Sequence, residues 1–373
     1  MKTRVKKMTI ALGLLIACLA IIAVTACSRP QFGRLPQGER LARIQASPNY
    51  QDDGFANTVP TEMVLNEQGT VSILWQDFWN SAERQRPTDP LPVVKTDLKA
   101  LDLKQDVVIW LGHSSFFIQL AGQRILVDPV LSDYGAPFSF LNKTFNGTDL
   151  YTADELPEID LLLISHDHWD HLDYLTATAL QGKIKRALIP LGVGEHFERW
   201  GYPKEKILEG DWNDDFWFEN GLQVVVLPAR HYSGRLFTRN KTLWAGFALQ
   251  STKHNIFLSG DSGYGPHFAE LAKSFKGFDL VAMDGGQYDP RWPYIHMTPE
   301  EAVQAAKDIG AAGLLPGHVG RFDIANHPWD EPFERFVQAA QDNGIHLLTP
   351  RIGEPVRLGD ETQSYSKWWK TVN

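Results

Sequence analysis

The chain has 373 residues, of which 43% are hydrophobic and 22% charged, so it can form one large or two modest globular domains and is not intrinsically disordered. The formal net charge is −9; a chain starting at Cys27 would keep 32 basic and 45 acidic residues and carry −13. Such an acidic body argues against nucleic acid as a partner.

The N-terminus has the pattern of an export signal. Basic residues precede an uncharged run over 8–26, and the end of this run together with the next residue reads Val24, Thr25, Ala26 and Cys27. This tetrad resembles the bacterial lipobox, so we predict a lipoprotein signal peptide over 1–26 with lipidation at Cys27. An uncleaved membrane anchor stays an alternative, since the run is long enough to span a bilayer.

The predicted anchor also bears on location and on redox chemistry. Ser28 after the lipid site resembles an outer-membrane sorting signal, so we expect a lipid-anchored protein of the bacterial cell envelope, on the outer membrane facing the periplasm. The sequence leaves inner-membrane retention open. Cys18 and Cys27 are the only cysteines, so the folded body has no disulfide and no thiolate metal ligand.

Residues 27–72 are polar and punctuated by prolines, which predicts a tether and an N-terminal arm. Phe78 and Trp79 could pack as part of this arm. The remaining body, 73–373, forms the predicted catalytic domain.

Strands and helices alternate through this body. The stretch 107–129 predicts two strands joined by a turn at 121–123, and the apolar run 161–164 predicts a third. The spacing of Leu172, Leu175 and Ala179 predicts a helix that begins near Asp170 and His171. Further strands are predicted at 186–190, 206–208, 223–227, 255–258, 278–283 and 313–316, and a helix at 193–200.

One further helix has a clear start signal. Thr298 is a predicted N-cap, Pro299 the first helical residue and Glu301 the reciprocal acid of a capping box. The predicted end is Gly310. Its predicted buried stripe comprises Ala302, Val303, Ala306 and Ile309.

The stretch LLLISHDHWDHLD, 161–173, contains the strongest chemical signal. His166 and His168 are two apart at the end of the predicted buried strand, so their imidazoles point to one side. Asp170 and His171 follow at once. Three imidazoles and a carboxylate within six residues are the ligand types that a zinc-like divalent ion takes.

More such side chains follow other predicted strands. His231, Asp261 and His318 each lie near the carboxyl end of a strand, the edge at which α/β sheets gather ligands. Together with the first four residues they make seven candidate ligands, enough for two metal ions with Asp261 bridging. Two layers of sheet covered by helices would accommodate this order of elements.

This set of residues resembles the metallo-β-lactamase superfamily, which implies an αββα sandwich, an α/β fold with a dinuclear site at one edge. The segments WLGHSSFFIQ, LVDPVLS, ISHDHWDHLD, LPARHYSGR, FLSGDSGYG, YDPRW, IHMTPEEA and LPGHVGRF resemble the N-acylphosphatidylethanolamine-hydrolysing phospholipase D branch and its bacterial lipoprotein relatives. The resemblance implies two zinc ions. Their implied ligands are His166, His168 and His231 for one, Asp170, His171 and His318 for the other, and Asp261 between them.

The implied activity is hydrolysis of a phosphodiester in a phospholipid-like substrate by a metal-bridging hydroxide, oriented by Asp170. His296 is an implied catalytic and substrate-contacting residue. Trp169 stands where the branch has a substrate-contacting Tyr, which leaves an aromatic wall without the hydroxyl. His168 favours hydrolysis over redox chemistry, because the oxygen-reducing di-iron relatives commonly have Glu there.

Other functions stay open at this point. A lactone or a β-lactam is the rival substrate class, and a non-enzymatic envelope adaptor with a structural metal site is an alternative of another kind. A homodimer is compatible with the sequence, which does not define the oligomeric state. Aromatic and apolar residues predicted around the site would accept acyl chains of an amphiphile: Phe138, Phe140, Leu141, Phe145, Trp169, Tyr232, Trp292 and Tyr294.

Overall fold

The computed structural model describes residues 27–65, 81–235 and 238–373, with four isolated positions further upstream (13, 14, 17 and 25). The predictions for Phe78, Trp79 and nearly all of the signal segment lie outside the described residues. Among the helices of the described part, none combines the length and apolar character that crossing a bilayer requires.

Six α-helices and sixteen strands make up the described architecture, with short 3-10 turns between them. The helices are α1 Gly38–Gln45, α2 Tyr174–Leu180, α3 Gly194–Arg199, α4 His267–Ser274, α5 Pro299–Asp308 and α6 Glu331–Asn343. The strands are β1 Tyr50–Gln51, β2 Gly54–Phe55, β3 Val107–Gly112, β4 Ser115–Leu120, β5 Gln123–Val127, β6 Ile159–Leu163, β7 Ile184–Pro190, β8 Ile207–Gly210, β9 Asp215–Trp217, β10 Gln223–Leu227, β11 Gly246–Gln250, β12 Asn255–Leu258, β13 Phe278–Asp284, β14 Ala311–Gly317, β15 His346–Leu347 and β16 Pro355–Arg357.

Two seven-stranded sheets form the centre of the fold. The first has the order β16-β3-β4-β5-β6-β7-β8 and the second the order β15-β14-β13-β12-β11-β10-β9. In each sheet three neighbouring pairs are antiparallel and three are parallel. The carboxyl ends of the parallel strands lie at one edge of the molecule, where loops can converge.

Alternation along the strands builds three apolar layers. Leu161 and Leu163 of β6 join the core between the sheets, whereas Leu162 faces the outer layer under α2 and α3. In the second sheet Val281 and Met283 pack outward against α4, α5 and α6. The result is the αββα sandwich that the resemblance implied.

Two local predictions are corrected by the structure. The stretch 107–129 forms three strands, because Gly112 and His113 both adopt positive φ and reverse the chain into an antiparallel β3–β4 pair. The helix after the histidines begins at Tyr174, because the Asp173 carboxylate accepts hydrogen bonds from the amides of Leu175 and Thr176 and caps it there. Leu175 is 46% exposed and is not part of the buried face.

The prediction for α5 is confirmed. Thr298 and Glu301 form a reciprocal capping box, Pro299 occupies the first turn, and all four residues of the predicted stripe are buried. Gly310 follows the helix with φ of +67°, a conformation that favours glycine.

The segment before β3 lies on the body through an ion-pair network. Arg40 of α1 contacts the carboxylates of Glu195 at 2.6 Å, Glu198 at 2.6 Å and Glu209 at 2.7 Å. Nε of Arg34 contacts the Glu195 carboxylate at 2.5 Å, and the backbone amide of Arg34 donates to Nδ1 of His196 at 3.1 Å. This network holds residues 34–45 against α3 and β8.

Candidate metal centre

Loops at the carboxyl ends of the strands bring the predicted site residues together. All seven candidate ligands lie in one cluster, buried except for the partly exposed His168, with His296 and a further histidine, His113. His166 and His168 follow β6, His231 follows β10, Asp261 follows β12 and His318 follows β14.

A first group of nitrogens converges from three histidines. Nδ1 of His168 lies 2.9 Å from Nε2 of His166 and 3.2 Å from Nε2 of His231. Around a tetrahedral ion with bonds of about 2.0–2.1 Å, neighbouring nitrogens are separated by about 3.4 Å. The three nitrogens are therefore close to the spacing that a zinc-like ion imposes.

Hydrogen bonds on the far side of two rings fix which nitrogen faces the centre. Nδ1 of His231 donates to the carbonyl of Ile295 at 2.9 Å, and Nδ1 of His166 lies 2.9 Å from Oγ of Ser165. Both rings then present an unprotonated Nε2 inward, as metal-ligating histidines do. Burial, reinforced by the neighbouring histidines, holds the pKa of His166 and of His231 well below its usual value, which favours the neutral form.

A second group consists of Asp170, His171, His318 and His113. Nε2 of His171 lies 3.5 Å from Oδ2 of Asp170, and Nε2 of His318 lies 4.0 Å from the same oxygen. Burial acts to raise the pKa of Asp170, but His171 and the hydrogen bond from His113 outweigh it and hold the pKa well below its usual value. A carboxylate that stays ionised suits a cation site.

Asp261 lies between the two groups. Its Oδ2 is 3.0 Å from Nε2 of His171 and 3.7 Å from Nε2 of His166, and its Oδ1 is 3.2 Å from Nδ1 of His318. Burial raises the pKa of Asp261 to about 6. The carboxylate thus reaches both groups, as a bridging ligand would.

Several buried atoms at this edge have no hydrogen-bond partner within the described part of the chain. They include Nε2 of His171, Nε2 of His318 and Oδ1 of Asp261. Unpaired buried nitrogen and carboxylate atoms are costly, and bound cations would satisfy these three atoms. The donor set, imidazole and carboxylate without thiolate, fits zinc or a similar divalent ion.

His296 adjoins both groups but is held differently. Its Nδ1 donates to Oδ2 of Asp284 at 2.8 Å, and its ring stacks on His318 with centroids 5.1 Å apart. Although burial alone would lower it, Asp284 raises the pKa of His296 above its usual value. His296 is therefore suited to carry a positive charge beside the metal-binding groups.

The centre opens into a cavity of about 290 Å³. Trp169 and Tyr232 form aromatic walls, while Gly135 and Asn142 hold the base of a loop whose tip carries Phe138, Phe140 and Leu141. Three other residues predicted around the site are elsewhere. Phe145 is buried against Trp329, and neither Trp292 nor Tyr294 lines the cavity.

Three side chains at this centre were not among the predicted site residues. Nε2 of His113 donates to Oδ2 of Asp170 at 2.8 Å, Asp128 accepts from Nδ1 of His171 at 2.9 Å, and Asp284 holds His296. Each follows or ends a strand. A polar residue directly after an apolar run, as in WLGH, LVD and VAMD, was the available signal.

Comparisons with known proteins agree with this geometry. A family model described as a β-lactamase superfamily domain matches residues 123–319. An uncharacterized protein of Mycobacterium tuberculosis is 37% identical over 342 residues, covering 89% of this chain and 91% of that protein. The outer membrane protein RomA of Klebsiella pneumoniae is 55% identical over 100 residues, which cover 27% of this chain and 76% of that protein.

Two relatives have a named reaction. The N-acyl-phosphatidylethanolamine-hydrolyzing phospholipase D 1 of Caenorhabditis elegans is 30% identical and covers 58% of this chain and 64% of its own. The mitochondrial protein of the same name from Saccharomyces cerevisiae is 31% identical, and the match covers 66% of this chain and 54% of that protein.

Solved structures agree on the fold. A metallo hydrolase from Ignicoccus hospitalis superposes with a TM-score of 0.51 at 18% identity, covering 69% of this chain and 99% of that chain. CmlA, a diiron β-hydroxylase from Streptomyces venezuelae, superposes with a TM-score of 0.51 at 21% identity, and the match covers 68% of this chain and 54% of that chain. The chain therefore belongs to the metallo-β-lactamase superfamily of metal-dependent hydrolases, and part of it is similar to the N-acyl-phosphatidylethanolamine-hydrolysing phospholipases D.

Proposed function

We propose that this protein is a zinc-dependent phosphodiesterase that hydrolyses a phospholipid-like substrate, releasing the alcohol on one side of the phosphate. Two relatives bear the name of such a reaction. The observation that carries the proposal is that His296, held from behind by buried Asp284, lines the same cavity as the metal-binding groups. A cationic donor there offsets the charge that a phosphodiester already carries when it binds, whereas the reacting carbonyl of a lactone or a β-lactam is neutral until it is attacked.

The proposed ligand sets follow the two groups of side chains. His166, His168 and His231 would hold one ion, Asp170, His171 and His318 the other, and Asp261 would contact both. Ions bound there would lower the pKa of a water toward neutrality and offset negative charge on the phosphoryl oxygens.

Asp170 is the proposed proton carrier. As the oxygen of the attacking water forms its bond to phosphorus, the Asp170 carboxylate accepts the proton, and it returns this proton to the alcohol oxygen as the bond from phosphorus to that oxygen breaks. His113 fixes the carboxylate during this transfer through its hydrogen bond to Oδ2.

His296 is the proposed electrostatic partner of the phosphate. Because Nδ1 is engaged by Asp284, Nε2 is the nitrogen left to donate to a non-bridging oxygen. A fixed donor that strengthens its contact as charge develops stabilises the transition state more than the bound substrate.

The aromatic walls would bind the apolar part of the substrate. Trp169 is held rigidly, with the guanidinium of Arg235 3.7 Å from its ring centroid and the ring of Phe32 at 5.1 Å. Rigid aromatic surface next to the reacting centre binds acyl chains and orients the phosphate.

We also propose that the chain acts at the cell envelope, anchored by lipid at Cys27 on the outer membrane and facing the periplasm. The partial similarity to RomA, named as an outer membrane protein, supports this location. An anchored enzyme would find amphiphilic substrates in the membrane that holds it.

The test is a substrate panel measured with the wild type and with His296→Ala. It comprises N-acylated phosphatidylethanolamine, simple phospholipids, a soluble bis-aryl phosphodiester, a lactone and a chromogenic β-lactam. We expect phosphodiester turnover to dominate and to fall about 10²–10³-fold in His296→Ala. Faster lactone or β-lactam turnover, unimpaired in His296→Ala, would assign the chain to another reaction of the superfamily.

A further inference from the structure

Residues 28–34 lie beside the metal-centre cavity, where Phe32 packs on the cavity residue Trp169. Nε1 of Trp200 donates to the carbonyl of Pro30 at 2.7 Å, and Nε of Arg235 donates to the carbonyl of Gln31 at 3.0 Å. The side chain of Gln31 donates in turn to the carbonyl of Pro137 at 3.2 Å. This segment is therefore fixed to the loop that borders the cavity.

The same segment extends an aromatic row toward solvent. The ring of Phe32 lies 5.1 Å from Trp169 and 6.1 Å from Phe138, and Phe138 stacks on Phe140 with centroids 5.7 Å apart. The row ends in Phe140, which is 75% exposed, and Leu141, which is 43% exposed. We call Phe32, Phe138, Phe140 and Leu141 the apolar rim.

The loop that carries the apolar rim is closed at its base. The amide of Gly135 donates to the carbonyl of Asn142 at 2.9 Å, and Nδ2 of Asn142 donates back to the carbonyl of Gly135 at 3.1 Å. Both residues line the metal-centre cavity. The exposed apolar tip and the cavity mouth thus belong to one short structure.

Cys27 lies next to this edge. It lines a neighbouring cavity of about 200 Å³ together with Phe32, and Gly234 and Thr238 border both cavities. In the sequence, the uncharged run 8–26 ends at the residue before Cys27. Whether that run is removed and Cys27 lipidated, or the run is kept as an anchor, the chain meets the membrane at the same point.

We propose that the apolar rim is a membrane-docking surface that holds the cavity mouth against the bilayer in which the chain's own N-terminus is anchored. Large apolar side chains that remain exposed beside an anchor enter the headgroup boundary, typically to a depth of about 5–10 Å. Arg29, next to this segment in the chain, and Arg239, which lines the cavity, are both exposed and would attract anionic lipid headgroups.

The position of Cys27 beside the apolar rim favours the bilayer as the partner that covers this surface. A second copy of the chain would also cover apolar side chains, but it gives no reason for the anchor to emerge beside them. This orientation at the membrane does not depend on which bond the enzyme hydrolyses.

The test uses the full-length chain reconstituted into vesicles of phosphatidylethanolamine and phosphatidylglycerol. Phe140→Cys is labelled with an environment-sensitive fluorophore, and nitroxide lipids labelled near the headgroup serve as quenchers. Trp217→Cys is the matched control, since Trp217 is a 66% exposed aromatic residue on β9 at the opposite end of the sheet. The unsubstituted chain, labelled in parallel, gives the background from Cys18 and Cys27.

We expect label at position 140 to be quenched at least about twofold more strongly than label at 217, with emission shifted to the blue. Leu141→Cys gives the same reading if Phe140→Cys does not fold. Equal quenching at the rim and at position 217, or no quenching at the rim in vesicle-bound protein, overturns the proposal. Because no turnover is measured, this result is independent of the substrate panel.

Discussion

Oδ2 of Asp284 accepts a hydrogen bond from Nδ1 of His296 at 2.8 Å and a second one from the backbone amide of Ser262 at 3.1 Å. The carboxylate is fully buried at the end of β13, so its position is set by the sheet. A rigid strand therefore determines the direction of an imidazole that lies in the loop before α5. This contact orients the His296 ring and favours its protonated form.

Asp284→Asn should lower kcat/KM for the proposed phosphodiester substrates about 10²-fold while leaving the metal content unchanged. The amide keeps the shape of the side chain but removes the charge that supports a cationic imidazole. Steady-state kinetics with elemental analysis of the same preparations provide the measurement. Asp279→Asn, the same change at an exposed position of β13, is the control and should be close to neutral.

Loss of metal in parallel with activity in Asp284→Asn would contradict this assignment. It would show that Asp284 maintains the metal-binding loops as a whole and does not act through His296.

We predict close to two metal ions per chain. His168→Ala and Asp261→Ala should each lose metal and activity together, since each removes a ligand of the buried cluster. His254→Ala is the control, because His254 lies near Asp106 and Asp279 at the other end of the sandwich. Purified protein without stoichiometric transition metal, prepared without chelators, would refute the prediction.

Much of the fold and the site is predictable because the signals are local. The capping box of Thr298 and Glu301 acts within one turn, and the histidines of 161–173 follow a strand whose last three residues are apolar and buried. By contrast, β16 has three residues and exists because Val356 pairs with Val108, far earlier in the chain. Such a strand has no local periodicity to detect.

The role of His113 could not be predicted from the sequence, because it too depends on a partner far away in the chain. Its partner Asp170 is 57 residues away, and the contact depends on the chain reversal at Gly112 and His113. The sequence WLGHSS shows a histidine after an apolar run but not the carboxylate that it meets. Side chains that orient ligands depend on tertiary contacts more than the ligands themselves do.

Cys27→Ser should leave an unprocessed precursor that takes up no labelled fatty acid, because a lipobox cysteine is both the acceptor of the lipid and the first residue of the mature chain. Metabolic labelling and mass measurement of the envelope fraction test this. Cys18→Ser, in the same uncharged run, is the matched control and should be processed normally. Unchanged mass and labelling of Cys27→Ser would mean that the segment is a plain signal peptide or a membrane anchor.

Glu195→Ala should lower the free energy of unfolding by about 1.5–3 kcal/mol, since it removes charged hydrogen bonds from Arg34 and Arg40 in a buried setting. Chemical denaturation measures the change. Glu270→Ala is the comparison, because its pair with Lys273 is exposed on both sides and should contribute less than about 0.5 kcal/mol. Equal effects of the two variants would show that the Glu195 network does not stabilise the folded body.

Shortening the acyl chains of a phosphodiester substrate should lower kcat as well as raise KM. Contacts between the apolar chains and Trp169 are remote from phosphorus, and an enzyme can use such binding energy to orient the reacting group. Each buried methylene is worth about 0.8 kcal/mol, so removing two that contact the wall should cost roughly tenfold in kcat/KM. A homologous series of substrates, assayed below the concentration at which they form micelles, provides the measurement.

In Trp169→Ala this dependence on chain length should become shallower, whereas Trp217→Ala, which removes an exposed indole from β9, should keep it. A kcat that is independent of chain length in the wild type would mean that the aromatic walls bind substrate without helping to orient the phosphate.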